Sequence, residues 1–427
     1  MTTDSKPARA PVTSPRAVGF RFLFLYLVLT LLPFPLGCLP GTDGLGKLYD
    51  GLWKAVVPWI GAHVVHLSHA VSVEETGSGD TTAAYLQLGC TVVLALVGTA
   101  LWTAIRRRKG PDSPALAAGL RVYVRYFLAA MLLSYGFAKI FKHQFPFPAA
   151  DRLFTPFSAM SPMGLLWRFM GFSTAYSVFG GLAEALGGAL LFFRRTTTLG
   201  ALIVAAVMLN VFVLNMAYDV PVKLFSFQLL LLAILLLVPD LRRLANVFVL
   251  NRPVPAADLR PLPPLTRSRR AHLAGKAMMI LLIPGYLIHE ELDTSQNAVD
   301  PALAPVIGLY DVASFEKNGT VVPPLLTDPT RWRRVSINAW GFSGILMNDE
   351  RRAFMMTYEA TTGKLTLDDG HGNKQDLSLK ATEPGHLLLV GTLGEDRLSV
   401  QLQKVDTSTI PISTRGFHWI SEYPYNR

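Results

Sequence analysis

Seven long apolar runs occupy the first two thirds of the chain: Val18–Leu39, Ala83–Ile105, Val122–Phe141, Phe172–Phe193, Leu199–Ala217, Leu224–Val238 and Ala271–Ile288. A membrane-spanning helix needs about 20 predominantly apolar residues, and most of these runs approach that length. The last two are shorter or interrupted, but Lys223 and Lys276 at their ends can snorkel and extend the usable span. From about Asp293 the period changes to two. Val335/Ile337/Ala339, Leu365/Leu367, Leu377/Leu379 and Leu398/Val400/Leu402 alternate with polar residues, and Gly363, Gly370, Gly372, Gly385 and Gly394 punctuate the runs. The pattern predicts an α-helical polytopic membrane protein of about seven transmembrane helices, followed by an antiparallel β barrel or sandwich. Trp332, Trp340, Phe354, Tyr358 and Trp419 are expected as its bulky core or mouth residues.

Charge orients the helices. Lys6, Arg9, Arg16 and Arg21 precede or open the first run, Arg106 to Lys109 follow the second, Arg194 and Arg195 follow the fourth, and Arg242 to Arg270 hold seven arginines between the sixth and seventh. Every second loop is therefore basic, which by the positive-inside rule puts the N-terminus in the cytoplasm and the β domain outside. Leu52–Val73 is also fairly apolar, and reading it as an eighth span would put Arg106–Lys109 outside. Its Lys54, Pro58 and three histidines fit a helix lying in the outer interface, with Trp53 and Trp59 at headgroup level.

The expected organisation is a two-helix region with the interfacial helix (1–116), a four-helix membrane bundle (117–250), a Pro- and Arg-rich cytoplasmic linker (251–270), a last helix (271–289) and the outer β domain (290–427). Composition agrees: 51% of the 427 residues are hydrophobic and 16% charged, so a lipid bilayer is the expected partner. The net charge of +10 follows membrane sidedness and not a groove, and no nucleic-acid partner is expected. The segment ending Pro35-Leu36-Gly37-Cys38 loosely resembles a lipoprotein signal, against which an uncleaved first helix is the simpler reading. Cys38 and Cys90 both fall near the outer ends of their helices, where either a disulfide or two isolated thiols fit. Neither CxxC nor CxxCH occurs, and the glycine runs match no nucleotide-phosphate motif.

Polar residues inside the bundle are the candidate site, since they are costly in lipid. Glu184 sits mid-helix among Gly180, Gly181, Gly187 and Gly188, which offer a small-residue face for close helix contact. In the preceding helix Arg121, Arg125, Gly136 and Lys139 recur at near-helical spacing beside Tyr135, making Lys139 the expected partner of Glu184. A structural ion pair is one reading. The other is a proton-handling pocket with Glu184, Lys139 and Tyr135 as catalytic donors and Asn210, Tyr218 and Gln228 binding a cofactor headgroup such as a quinone ring. His63, His66 and His69, three residues apart on the interfacial helix, form a candidate metal set for which spacing fixes no fourth ligand, though His143 lies in another outer loop; the alternative is a polar interfacial face. Ser161-Pro162 starts a short amphipathic helix through Trp167, Arg168 and Phe169, suited to capping the bundle or to anchoring on the membrane surface.

Three stretches, RYFLAAMLLSYGFAKIF from Arg125, GGLAEALGGALLFFRR from Gly180 and NMAYDVPVKLFSFQLLLLAILLLVPDLRRL from Asn215, together resemble the DoxX/DoxD family of small four-helix membrane proteins. The resemblance covers about 130 of the 427 residues, and this chain departs from the family in adding helices on both sides and a large outer domain. It implies a bacterial cytoplasmic membrane protein with a periplasmic β domain and a quinone-linked role beside a redox partner subunit, since some members belong to a thiosulfate:quinone oxidoreductase. The alternative is a non-enzymatic, membrane-anchored binding or assembly protein. Gly308-Leu309-Tyr310-Asp311-Val312 is similar to the opening strand of lipocalins, and for Arg415, His418, Trp419 and Glu422 a closing strand with a packed tail is set against a ligand site.

Overall fold

The computed structural model describes residues 13–36, 41–109, 112–256, 269–296, 301–339 and 341–424. The chain forms two compact units, Met1–Phe147 with Ser161–Asp293, and Pro148–Met160 with Thr294–Arg427.

The first unit is helical: α1 Pro15–Leu31, α2 Asp43–His63, α3 Thr82–Lys109, α4 Pro114–Ile140, α6 Pro162–Phe172, α7 Thr174–Leu191, α8 Thr197–Ala217, α9 Lys223–Leu237, α10 Leu241–Phe248 and α11 Arg269–Gln296. The short α5, Ala150–Leu153, belongs to the second unit. Several starts follow a shared rule. Ser14, Ser113 and Ser161 each accept a hydrogen bond from the first turn ahead of a proline at the first helical position, and Ser173 caps α7 without one.

Among the described residues four helical stretches are long and apolar enough to cross a membrane: Thr82–Arg107, Pro114–Ile140, Arg194–Ala217 and Lys223–Phe248. Of the other expected spans, α1 has 17 residues and α7 has 18, the latter diluted by Glu184 and four glycines. α11 is longer, but polar residues occupy both its ends. The first run was expected to stay helical to Leu39; α1 ends at Leu31, because Pro33 and Pro35 disfavour helix in the residues before them. Expectations that fall on Lys6, Arg9, Cys38, most of the 251–270 linker and Trp340 lie outside the described residues.

α4 is central, with Leu128, Ala129 and Ala130 fully buried against α1, α7 and α9. Outward positions on α3, such as Val93, Leu94, Val97 and Leu101, stay apolar and exposed, the surface of an element whose solvent is lipid. Two acids gather the ends that carry the basic residues. Asp112 accepts from Arg21 of α1 at 2.7 Å and from Trp102 of α3 at 3.0 Å, and pairs with Arg106 at 3.1 Å. Asp240 accepts from Thr198 of α8 and Arg243 of α10, each at 2.7 Å, and faces Arg121 of α4 at 3.5 Å.

The second unit is a closed antiparallel barrel, settling the choice between barrel and sandwich. Its strands are β1 Gly308–Lys317, β2 Thr320–Val321, β3 Trp332–Asn338, β4 Gly341–Leu346, β5 Arg351–Glu359, β6 Lys364–Asp368, β7 Lys374–Glu383, β8 His386–Leu393 and β9 Asp396–Lys404. β1 and β3 to β9 form an eight-strand meander that closes through β1–β9, and β2 is a short hairpin partner of β1. At the β5–β6 turn Gly363 takes φ +68°, and a Cβ there would also meet Leu379 O at 2.9 Å, so glycine is required twice over.

Alternating side chains fill the interior: Phe315, Trp332, Phe342, Leu365, Leu389 and Val400 are among those at or near full burial. Each contributes roughly 1.5–3 kcal/mol by leaving water. Phe354 and Tyr358 pack partly buried against them. One expectation is corrected here. Trp419 is 91% exposed and no strand forms near it, because β9 already closes the barrel on β1 and leaves no edge for a further strand. Gly308–Val312 opens β1, the first strand of the barrel, with Tyr310 and Val312 turned into the interior and the Tyr310 hydroxyl donating to Val306 O at 2.8 Å.

Pro148–Met160, which lies in sequence between α4 and α6, packs with the barrel. Arg351 reaches the buried Asp151 at 2.8 Å and also donates to Ser343 Oγ at 2.9 Å, while the Arg334 guanidinium lies 4.6 Å from the centre of the Phe154 ring.

Candidate functional site

Glycine brings the helices close enough for the buried charges to meet. A Cβ on Gly181 would lie 2.6 Å from Gly136 O, and one on Gly188 would lie 2.9 Å from Ala129 O, so α4 and α7 touch backbone to backbone. Gly187 turns instead to Val204 of α8, and Gly180 faces open space, so the expected single small-residue face is two contact faces and one free position. At this contact Lys139 Nζ donates to Glu184 Oε2 at 2.7 Å, with both residues under a tenth exposed. The partner read from the sequence is the partner found.

Arg125, expected in the same polar stripe, has a different task. Its Nε and Nη2 donate to Leu191 O at 3.0 and 2.9 Å and Nη2 also to Phe192 O at 3.1 Å, closing the carbonyl end of α7 with a cation.

Tyr135 joins the pair to a cavity. The Lys139 ammonium lies 5.6 Å from the Tyr135 ring centre, and the tyrosine also lines a space of about 490 Å³. The walls are Leu29 and Thr30 of α1, Gln87, Leu88 and Thr91 of α3, Tyr135 of α4, Leu224, Phe225 and Gln228 of α9, and the Gly77–Gly79 strap. Thr30 Oγ1 is buried there with no hydrogen-bond partner among the described residues, a costly state that a ligand's polar atom would relieve. The strap is fixed by Asp80: its two carboxylate oxygens accept from Lys223 N and Leu224 N, each at 2.9 Å, and Gly79 N donates to Pro221 O at 2.7 Å. Asp80 therefore caps α9 from far away in sequence.

The other expected binding residues do not gather here. Gln228 lines the cavity, but Asn210 faces outward on α8, and Tyr218 packs with Phe145, Leu166 and Met170 in a separate apolar cluster below α6. Tertiary placement overrides proximity in sequence: Asn210 and Asn215 are five residues apart on one helix and so cannot share a face, and it is Asn215 that turns inward to Ser226 at 3.0 Å.

The histidine set is corrected. α2 ends at His63, and His66 takes φ +57° beyond it, so the three imidazoles do not lie across one helical arc. Among the described residues no three His, Cys, Asp or Glu side chains converge as metal ligands. His143, considered with them, pairs with Glu291 at the end of α11.

Sequence reasoning missed Thr30, Gln87, Thr91 and Asp80. Gln87 and Thr91 are one helical turn apart, the legible signal of a polar stripe on α3. Asp80 and Thr30 show no pattern of their own.

The chain is 32% identical to the uncharacterized protein YwoB of Bacillus subtilis (strain 168) over 126 residues, 29% of this chain and 79% of the relative. It belongs to the same family as YwoB. No family model matches, and no solved structure matches.

Proposed function

We propose that the bundle binds the headgroup of a membrane quinone and that the protein is a component of a quinone-linked oxidoreductase, its barrel docking a redox partner or substrate. The observation that carries this is the cavity itself. It combines apolar walls with Gln228, Tyr135 and the unsatisfied Thr30 hydroxyl, and the Lys139–Glu184 pair lies behind the tyrosine ring. Reduction of a quinone to its quinol takes two electrons, here from an external sulfur-compound donor by way of a partner subunit, and one proton at each ring oxygen. Tyr135 is the donor nearest the cavity, and Lys139 with Glu184 restores its proton. The DoxX resemblance of this region points the same way.

In this reading α1, α3, α4, α7, α8, α9 and α11 are seven spans of a bacterial cytoplasmic membrane, with the N-terminus inside and the barrel in the periplasm. Two contacts support the parity. His143, just past α4, pairs with Glu291 at the end of α11, and the α4–α6 connection is itself part of the barrel unit. Both ask that α4 and α11 end on one side, as they do if α7, α8, α9 and α11 each cross once.

A second reading, a membrane-anchored binding or assembly protein, is favoured by the closure of Lys139 on Glu184 at 2.7 Å, the geometry of a purely structural pair. Quinone that copurifies with the detergent-extracted protein, measured by mass spectrometry, separates the two. We expect quinone in the wild type, roughly tenfold less in Gln228→Leu from loss of a buried hydrogen bond, and loss of turnover in Glu184→Leu combined with Lys139→Leu. No quinone in the well-folded wild type would sink the pocket, and full function in the double variant would favour the second reading.

A further inference from the structure

We propose that the segment after the barrel, Phe417 to Tyr423, lies in the interfacial layer of the membrane leaflet from which α11 emerges, as a second anchor for the barrel. The segment carries Phe417, Trp419, Ile420 and Tyr423 at 76%, 91%, 79% and 83% exposure, in an order interrupted by His418, Ser421 and Glu422. Such fully exposed aromatics are unfavourable in water, and Trp and Tyr, apolar in body and polar at one edge, partition to the headgroup level of bilayers.

Strand order says which surface is within reach. β1 and β9 are antiparallel neighbours with Tyr310 opposite Lys404, and Val405 N donates to Leu309 O at 2.8 Å. The chain arriving from α11 therefore enters the barrel at the same end, and on the neighbouring strand, where the tail leaves it. The connection from Gln296 to Gly308 and the stretch from Lys404 to Phe417 are of similar length in sequence. A tail that starts beside the incoming chain and is about as long can return to the level where that chain leaves the lipid. The segment forms no groove or regular face for a protein to match, whereas the interfacial layer requires no complementary shape. Covering it with lipid needs no partner beyond the membrane that the four spanning-length helices imply, and the choice of leaflet rests on the proposed reading of α11 as a span.

The test uses the full chain in lipid nanodiscs, with Cys38 and Cys90 replaced and an environment-sensitive NBD fluorophore attached through Ile420→Cys. The expected result is blue-shifted emission, quenched by nitroxides on the lipid headgroup and protected from aqueous iodide. A second label through Ser421→Cys guards against one probe disturbing the tail, and hydrogen exchange of β1 and β9 verifies the barrel. Water-like emission with free iodide quenching at both positions would overturn the proposal. So would blue-shifted emission untouched by lipid nitroxides, which would mean that protein and not lipid covers the segment.

Discussion

Where α4 meets α7, Gly181 could not carry even a methyl group without meeting Gly136 O at 2.6 Å, whereas inside the barrel the space between opposing strands is filled by Phe315, Trp332 and Phe342. The bundle brings backbones together and buries a charged pair; the barrel keeps backbones apart and buries rings. The difference follows from the two solvents. Lipid tails are as apolar as leucine, so helices associate through close packing and polar pairing, not through the hydrophobic effect. In water, removal of apolar surface is itself the driving force. The bundle should therefore fail when volume is added and the barrel when volume is removed.

The largest effect is expected at the glycine contact. Gly181→Leu should prevent α4 and α7 from docking and abolish a folded, monodisperse protein, while Gly180→Leu, one position away and facing open space, should be close to neutral. Size-exclusion profiles and thermal unfolding in detergent compare the two, and equal tolerance would break the contrast. A smaller but still large effect belongs to the barrel. Trp332→Ala removes a ring packed between Phe315 and Phe342, and should cost about 3–5 kcal/mol, read by denaturant unfolding as strand exchange while the helices persist.

The smallest expected effect is a response of the barrel to acid. Hydrogen bonds from the Thr330 amide and hydroxyl hold Asp328 below the usual carboxylate range, and the ammonium groups of Lys364 and Lys317 do the same for Asp376 and Asp396. Their folded-state values are lowered, so the stability they supply is present above the unfolded value of about 3.9 and is lost as pH falls through the folded values. Hydrogen exchange of β7 and β9 should quicken modestly between about pH 5 and about pH 3, modestly because these groups are exposed and water-screened. No change across that range would show that these pairs are neutral to the fold.

Much of this was written in local pattern. Period-two runs such as Leu398/Val400/Leu402 gave the barrel's inward face, Ser161-Pro162 gave the start of α6, and Lys139 with Glu184 gave the buried pair, since a lone charge in lipid demands a partner. Other features depend on distance along the chain. Asp80 caps α9 across more than 140 residues, and Thr30 reaches the cavity only because α1 packs beside α3 and α4. The histidines misled because spacing by threes implies a shared face only if the helix continues, and α2 stops at the first of them.

The ion pair between Asp151 and Arg351 also sets an order of events during synthesis. Asp151 leaves the ribosome about 200 residues ahead of its partner, and a carboxylate destined for burial must wait, hydrated, while every later helix is made. Closing so long a loop adds little to the cost over a shorter one, since the penalty grows only with the logarithm of length. The last strand needed to close the barrel, β9, arrives later still. The 148–160 connection is thus among the last parts of the protein to find its finished surroundings: in a chain truncated before β9 the barrel cannot close on β1, and the connection lacks the completed unit it packs with.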